Sequence, residues 1–399
     1  MEKQLPLEGI RILELGSLLA GPFTGRLLGD FGAEVIKIEA PDKADPMRDW
    51  GKKKDGVGLW WPIQSRNKKL ITLNLREPEG QEVFKELVKK ADVIVENFRP
   101  GTMEKWNLSY ETLSEINPGI IMARTSGFGQ TGPYKDRAGF GSIGEAMGGL
   151  RYVTGFPDRP PTRIGISIGD TLSAMFATIG ILVAIQERHK SGKGQVVDTA
   201  LYESVFAVME SLVPDYLLAN YVRERMGNVL PGVAPSNIYP TKDDTYIVIG
   251  ANADNVFQRM AEAMGQPELA KDPKFATHDA RGKNMEELDT IIEEWTKTLN
   301  AEEALDILSE KGVPSGLIYS VREIVKDPHY KARDMIINVE HPILGDFPMP
   351  GIVPKLSRTP GEVKFPGAET MGKHNEEIYQ GLLGFDDEKM KLLQENNII

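Results

Sequence analysis

The most informative carboxylate in the sequence is Asp170, which follows Gly169 and precedes the apolar stretch 171–185. The segment before it is uncharged and strand-like, so we predict that Asp170 lies where a strand ends and a core helix begins. A helix N-terminus offers unpaired backbone N–H groups and a partial positive charge. The neighbouring glycine leaves room for another molecule to approach. The pattern allows either a helix N-cap, for which Asp is a preferred residue, or a functional carboxylate.

The composition excludes several kinds of catalytic chemistry. The sequence contains no cysteine, so it offers no disulfide, thiolate nucleophile or Cys-ligated metal. Its five histidines are scattered without the i, i+4 spacing of a zinc-binding helix, and we predict no metal site. The pattern Gly-x-Ser-x-Gly occurs at 165–169, directly before Asp170. We expect carboxylates and backbone N–H groups to be the agents of any chemistry.

Length and charge indicate a soluble protein of two or three domains. The 399 residues carry a net charge of −11 that is spread along the chain, without the basic stripe of a nucleic-acid-binding protein. No signal peptide precedes the first apolar segment, and the apolar run after Asp170 is shorter than the roughly 20 residues of a membrane span. We therefore expect a cytoplasmic protein with no nucleic-acid or membrane partner.

Strands and helices alternate through the first part of the chain. The predicted strands are 10–15, 34–39, 70–75, 92–97 and 120–126, and the helices between them are 22–31, 77–91 and 110–116. Strands rich in Val, Ile and Leu that alternate with helices are typical of a parallel sheet covered on both faces. We predict a doubly wound α/β domain.

A different pattern begins near residue 222. The elements predicted there are an antiparallel hairpin at 236–240 and 245–250 and helices at about 255–264, 284–298 and 301–311. After Met335 the chain is rich in proline and glycine, which predicts a long extended connection before a last helix at 386–396. The expected segments are 1–222 (large domain), 223–330 (small α+β domain) and 331–399 (linker and return to the large domain).

Polar and cationic side chains gather at the predicted strand ends. Ser17 lies in the glycine-bearing turn 16–22 after the first strand, a place where α/β folds hold phosphates, although the turn lacks the dinucleotide and P-loop spacings. The other members of this group are Lys68, Lys69, Asn97, Arg99, Lys105 and Arg124. Solvated surface charge is the simpler interpretation for any one of them, but together they would suit a phosphorylated nucleotide.

Two loops have the composition of ligand-contacting backbone. Residues 127–133 and 139–141 are dense in glycine, which indicates either a flexible loop or a surface that a ligand contacts closely; Phe140 and Gly141 belong to it. Residues 252–254, which begin with Asn252 and closely follow Gly250, precede a predicted helix and form either its cap or a lid over a site.

These residues also resemble a known family, the class III coenzyme A transferases, which include formyl-CoA and carnitine CoA-transferases. The resemblance runs from about residue 8 to 390, and its motifs occur in the family's order. The segments that carry it are 19–22, 32–39, 66–69, 96–101, 126–133, 169–170 and 192–195.

The resemblance implies an acyl-CoA:carboxylate CoA-transferase that works through an aspartyl-CoA thioester, with Asp170 as the nucleophile. It implies no permanently bound cofactor, because coenzyme A and acyl-CoA are substrates. It places coenzyme A at Lys68, Lys69, Asn97, Phe98, Arg99 and Lys105. The implied fold is a large α/β domain built from both chain ends, a smaller inserted domain and an interlocked homodimer.

The sequence departs from the family pattern near the expected site. Gly141 stands where many members have an acidic residue, Leu19 where some have Gln, and Ala40 where some have Arg. Residues 250–253 replace a run of glycines. The acyl group therefore cannot be carried over from the best-known members.

Three alternatives stay open at this point. An acyl-CoA racemase or isomerase shares the fold but needs an acid–base pair near the thioester, for which the histidines offer no motif. A nicotinamide-dependent oxidoreductase is disfavoured by the missing glycine spacing. A non-catalytic CoA-binding module would bind acyl-CoA without becoming covalently labelled.

Overall fold

The computed structural model describes residues 4–399, which form two compact units. The first comprises the chain up to Leu150, Ile164–Glu210 and His329–Ile399, and the second comprises Arg151–Arg163 and Ser211–Pro328. The sequence analysis assigned 151–163 and 211–222 to the large domain instead. The first of these segments is held within the second unit because Gly227 N–H donates to Gly155 O at 2.9 Å and Arg225 Nη1 donates to Tyr152 O at 2.9 Å.

The first unit is built on a six-stranded parallel sheet. Its strands are β1 (Arg11–Glu14), β2 (Glu34–Glu39), β3 (Lys68–Thr72), β4 (Val93–Glu96), β5 (Ile121–Ser126) and β6 (Val196–Ala200). The spatial order is β3-β2-β1-β4-β5-β6. The order reverses between β1 and β4, and ligands of such sheets bind beyond the carboxyl ends of the strands at that reversal.

Both faces of this sheet are covered, as the α/β pattern predicts. Alternating strand residues face opposite sides, so Leu13 and Ile36 join one core while Ile12 and Val35 join another. The helices of the first unit are Ala20–Gly29, Trp61–Gln64, Pro78–Val88, Thr102–Lys105, Tyr110–Ile116, Gly141–Met147, Ile168–Ser191, Leu201–Phe206 and Asp387–Glu395. It also contains a 3₁₀ turn at Pro46–Asp49, a π-helix at Glu377–Leu382 and a short ribbon, Lys53–Lys54 with Val57–Gly58.

The helix Ile168–Ser191 corrects two expectations. Its N-cap is Ser167, so Asp170 is the third residue of the first turn rather than the cap, and no strand precedes it. Its buried residues, which include Ala177 and Ile181, occupy one face only, although the sequence predicted a core helix. Among residues 4–399 it is the one helix long and apolar enough to span a membrane, and its buried face packs into the core of the first unit.

The second unit contains a three-stranded antiparallel sheet of β7 (Ser236–Pro240), β8 (Tyr246–Gly250) and β9 (Ser315–Leu317), in the order β9-β8-β7. Its helices are Leu212–Ala219, Asp254–Ala263, His278–Lys283, Met285–Thr296, Ala301–Glu310 and Val321–Ile324, with a 3₁₀ helix at Pro267–Lys271. Asn300 and Glu303 form a capping box at the start of Ala301–Glu310. Short helices at Leu150–Val153 and Pro328–Ala332 lie where the chain passes between units.

The proline-rich C-terminal segment is only partly an extended connection. Strands β10 (Ile336–His341) and β11 (Gly345–Pro350) form an antiparallel hairpin, which the sequence analysis missed. Prolines are tolerated there because each strand of a two-stranded ribbon has an unpaired edge that needs no N–H donor. The last helix, Asp387–Glu395, packs on the first unit through Met390 and Leu393.

Candidate active site

The loops after β1 and β4 are joined by one side chain at the reversal of strand order. Asn97 Oδ1 accepts the Ser17 N–H at 2.9 Å, and Asn97 Nδ2 donates to Ser17 O at 2.9 Å. A Cβ on Gly16 would lie 2.8 Å from Asn97 Oδ1, so this close approach needs glycine. The two predicted site residues Ser17 and Asn97 thus form a clamp where an α/β sheet binds its ligand.

A cavity of about 150 Å³ opens beside this clamp, and we call it the Asp170 cavity. Its walls include Ser17, Asn97, Phe98, Arg99, Phe140 and Asp170. Six of the predicted site residues, from Ser17 to Asp170, therefore share one cavity although they are far apart in the sequence. The wall also contains Arg137, which the sequence analysis did not select.

Asp170 is half-buried and packs directly against Gly141. A Cβ on Gly141 would overlap Asp170 Oδ2 and lie 2.8 Å from its Cγ. Any side chain at position 141 would therefore displace the Asp170 carboxylate from the position it has here. The buried Glu145 lies one turn after Gly141 on the helix Gly141–Met147. Its Cγ is 3.4 Å from the position that a Cβ on Gly169 would take. Sequence reasoning missed Glu145 because its burial depends on two distant helices meeting.

A second cavity of about 300 Å³, here the β1–β2 cavity, shares Ser17 and Phe98 with the first. Phe98 and Trp106 form one apolar wall, with their rings edge to face at 5.2 Å. Two exposed cations on its rim, Lys43 and Arg76, were not among the predicted site residues, and Arg76 is paired with Asp42 at 2.5 Å. Together the cavities offer apolar surface and positive charge on both sides of the clamp.

Two arginines bring positive charge to the Asp170 cavity. Arg99 is exposed on the loop after β4, and Arg137 is exposed on the glycine-rich loop, where its guanidinium lies 3.7 Å from the centre of the Tyr134 ring. Guanidinium groups bind carboxylates and phosphates in paired hydrogen bonds. The cavity therefore combines a carboxylate with two groups suited to an anionic substrate.

The structure does not bring Lys68 or Lys69 to either cavity. Lys68 is fully buried, and its ammonium lies 2.7 Å from Glu14 Oε2 and 2.6 Å from Pro22 O, while burial lowers its pKa to about 8. Lys69 points to the other face of β3 and pairs with Glu34 and, at 2.8 Å, with Glu377. The expected phosphate contacts of these two lysines have no geometric support.

Arg124 and Lys105 also lie outside the cavity walls. Arg124 is buried between Glu96, at 2.7 Å, and Glu104, at 2.6 Å. Glu96 Oε2 in turn accepts the Phe98 N–H at 2.7 Å. Arg124 thus supports the loop that carries Asn97 and Phe98 rather than a ligand, and Lys105 is an exposed surface residue.

Gly250 and Asn252 belong to the second unit, at the end of β8. The fully buried Arg281 donates to Asn252 O at 2.7 Å and pairs with Asp254 at 2.7 Å. The helix that follows is capped by Ala253, so Asp254 is its first residue. This segment is tied down by one arginine within its own unit.

A doubly wound sheet with a carboxylate, a two-loop clamp and two arginines at its switch point is typical of an α/β protein that binds an anionic small molecule there. The model of CoA-transferase family III matches residues 7–375, and the chain belongs to that family. It is a class III CoA-transferase.

Two curated relatives and one solved structure show how far the similarity extends. The chain is 58% identical to succinyl-CoA–D-citramalate CoA-transferase of Chloroflexus aurantiacus over 99% of its own length and 98% of the relative's. It is 35% identical to formyl-CoA:oxalate CoA-transferase of Streptomyces coelicolor, over 98% and 99% of the two chains. A CAIB/BAIF family protein from Brucella suis shares the fold with a TM-score of 0.83 and 35% identity, over 95% of this chain and all of that one.

Proposed function

We propose that Asp170 is the nucleophile of this CoA-transferase and that coenzyme A lies along the Asp170 and β1–β2 cavities. The observation that carries the proposal is that Asp170 shares an enclosure with the Ser17–Asn97 clamp and two arginines at the switch point of the sheet. Asp170 lies in the first turn of a 24-residue helix, where the partial positive charge of the helix N-terminus stabilises a negatively charged side chain.

In the proposed reaction, an Asp170 oxygen attacks the thioester carbonyl and CoA thiolate leaves, which forms a mixed anhydride. The thiolate then attacks the aspartyl carbonyl, so the first acid departs as its carboxylate and an aspartyl-CoA thioester remains. The second carboxylate attacks that thioester and expels the thiolate, which forms a second mixed anhydride. The thiolate then attacks the new acyl carbonyl of this anhydride, which releases the new acyl-CoA and the Asp170 carboxylate. No net proton or redox change occurs, and covalent catalysis divides one hard exchange into easier steps.

We further propose that the acids are dicarboxylic. One relative is named for transfer between succinyl-CoA and D-citramalate, and a 40% identical protein of Chloroflexus aurantiacus is a succinyl-CoA–L-malate CoA-transferase subunit. Arg99 and Arg137 offer cationic partners for a second carboxylate or for a CoA phosphate in the Asp170 cavity. Assay of succinyl-CoA and acetyl-CoA against dicarboxylic and monocarboxylic acceptors tests this. Preference for the monocarboxylic pair would contradict it.

Replacing Arg99 by Met should raise the KM for acyl-CoA about tenfold and change kcat less than about threefold. A charge-assisted contact to a part of the substrate that does not react supplies mainly uniform binding. The matched control is Lys105→Met, which removes an exposed cation six residues later, outside both cavities. Steady-state kinetics decide it, and equal KM values in the two variants would place the anion elsewhere.

We also propose that two copies of the chain interlock as a homodimer. The helix Ile168–Ser191 presents an apolar face on which Met175 is 48%, Ile179 55% and Val183 62% exposed. These residues recur at i, i+4 and i+8 and therefore form one stripe. Apolar patches of this kind mark protein contacts, and the family resemblance implies a second copy as the occupant.

An interlocked dimer cannot dissociate without unfolding, so dilution alone should yield no folded monomer. Sedimentation velocity at low nanomolar concentration measures this directly. A folded species of 44.2 kDa would contradict the interlocked arrangement.

Ile179→Glu, on the exposed stripe, should lower the yield of folded protein, whereas Glu187→Gln, an exposed polar position on the same helix, should not.

A further inference from the structure

Four fully buried charged side chains lie beneath the loop 16–19, which we call the rim loop, and we name them the Lys37 cluster. Lys37 Nζ is 2.9 Å from Asp45 Oδ2 and 3.3 Å from Glu14 Oε1, and Lys68 pairs with the other oxygen of Glu14 at 2.7 Å. Two positive and two negative groups thus share one enclosure. Apolar residues of similar volume often stabilise a fold as well as such ion pairs do, so stability alone does not explain the cluster.

The Lys37 cluster bonds directly to the backbone of the rim loop. Lys37 Nζ donates to Gly16 O at 2.8 Å, and Asp45 Oδ1 accepts the Leu18 N–H at 3.1 Å. Gln64 Nε2 donates from the other side to Leu19 O at 3.3 Å. With the clamp of Asn97 on Ser17, every residue of the rim loop is held by a side chain from elsewhere in the first unit.

One residue of the rim loop needs this support. Leu18 has a φ of 63°, in the left-handed region that non-glycine residues avoid because Cβ crowds the backbone. Such a conformation persists only where the surroundings impose it, and it clusters at functional sites. Leu18 and Leu19 line the Asp170 cavity, Gly16 lines the β1–β2 cavity and Ser17 lines both.

We infer that the Lys37 cluster acts through Asp45 as a positioning device that holds the rim loop in the shape that receives acyl-CoA. Asp45 and Lys37 lie in the wall of the β1–β2 cavity, but the Asp45 side chain is only 2% exposed and both its oxygens are engaged by Lys37 and by the N–H groups of Leu18 and Met47. Asp45 therefore acts as a positioning residue. The inference rests on the proposed binding of acyl-CoA along the two cavities.

The test begins with Asp45→Asn, which keeps the size of the side chain and one acceptor oxygen but removes the charge that pairs with Lys37. We expect the KM for acyl-CoA to rise about tenfold and kcat to change less than about threefold, because the rim loop then spends most of its time in another conformation. The matched control is Asp30→Asn. Asp30 is equally buried and bonds Arg66 at 2.8 Å, but it lines neither cavity, so its variant should change stability without this change in KM.

Rescue separates positioning from a general structural role. Glycine adopts left-handed conformations without the Cβ penalty, so Leu18→Gly removes the need for the Asp45 contact. The double variant Asp45→Asn/Leu18→Gly should have a KM within about threefold of Leu18→Gly alone. A tenfold rise that persists in the double variant would overturn the inference, and so would an Asp45→Asn enzyme with the wild-type KM.

A charge-retaining variant covers the case in which Asp45→Asn does not fold. Asp45→Glu keeps the ion pair but moves the acceptor oxygen by one methylene, and the same rise in KM and the same rescue are expected. The outcome is separable from that of the nucleophile, because kcat of Asp170 variants tests the proposed reaction while KM of Asp45 variants tests the loop.

Discussion

Asp170→Asn is expected to lower kcat for CoA transfer by at least about 1,000-fold while leaving the protein folded. The amide has nearly the same shape as the carboxylate but is not a nucleophile, so the covalent steps cannot begin. Loss of one favourable charge in the first helical turn should cost only about 0.3–1 kcal/mol of stability. Steady-state kinetics and thermal unfolding of both proteins measure the two effects separately.

Asp198→Asn is the control for Asp170→Asn, because it also removes one negative charge from the first unit. Asp198, on β6, accepts the Gln130 N–H at 2.9 Å and lies outside the Asp170 cavity. Asp198→Asn should keep kcat within about tenfold of the wild type. Near-normal turnover in Asp170→Asn would mean that Asp170 serves only the helix terminus.

Lys68→Met should lower the free energy of unfolding by about 3–5 kcal/mol, because it leaves the fully buried Glu14 with one of its two cationic partners. The neighbouring Lys69→Met is the control. Lys69 is 27% exposed and pairs with partly exposed glutamates, so its loss should cost about 1 kcal/mol or less. Urea unfolding of the three proteins gives both values.

The two lysines also distinguish a structural role from ligand binding. If Lys68 instead bound a phosphate, its replacement would raise the KM for acyl-CoA and leave stability nearly unchanged. That pattern would contradict the buried pairing with Glu14.

The strands of the large sheet were predictable because parallel strands covered on both faces are continuous apolar runs, and 34–39 is predicted with the bounds that the structure shows. Strand β6 was not predicted, because Val196–Ala200 lies at the sheet edge and its exposed residues Val196 and Asp198 interrupt the apolar run. The hairpin of β10 and β11 was also not predicted. Prolines such as Pro348 argue against a strand by local pattern, and they are compatible with one only because each strand of this ribbon has an unpaired edge.

The candidate site divides in the same way. Asn97, Phe98 and Arg99 follow a predictable strand, so their position at the carboxyl edge could be foreseen. The sequence could not show that Lys68 and Lys69 have different roles. Alternation along β3 places their side chains on opposite faces of the sheet, and only the fold shows that Glu14 lies on the Lys68 face and pairs with it. The sequence singled out Asp170 as a candidate, but its place within the first helical turn depends on where Ile168–Ser191 starts.

The central claim is that Asp170 carries coenzyme A during the reaction, and trapping the intermediate tests it most directly. The enzyme is incubated with succinyl-CoA without an acceptor acid, treated with hydroxylamine, digested and analysed by mass spectrometry. We predict a hydroxamate on the peptide that contains Asp170, dependent on acyl-CoA and absent from Asp170→Asn. An unmodified Asp170 peptide in an actively transferring enzyme, or a hydroxamate on another carboxylate, would contradict the account.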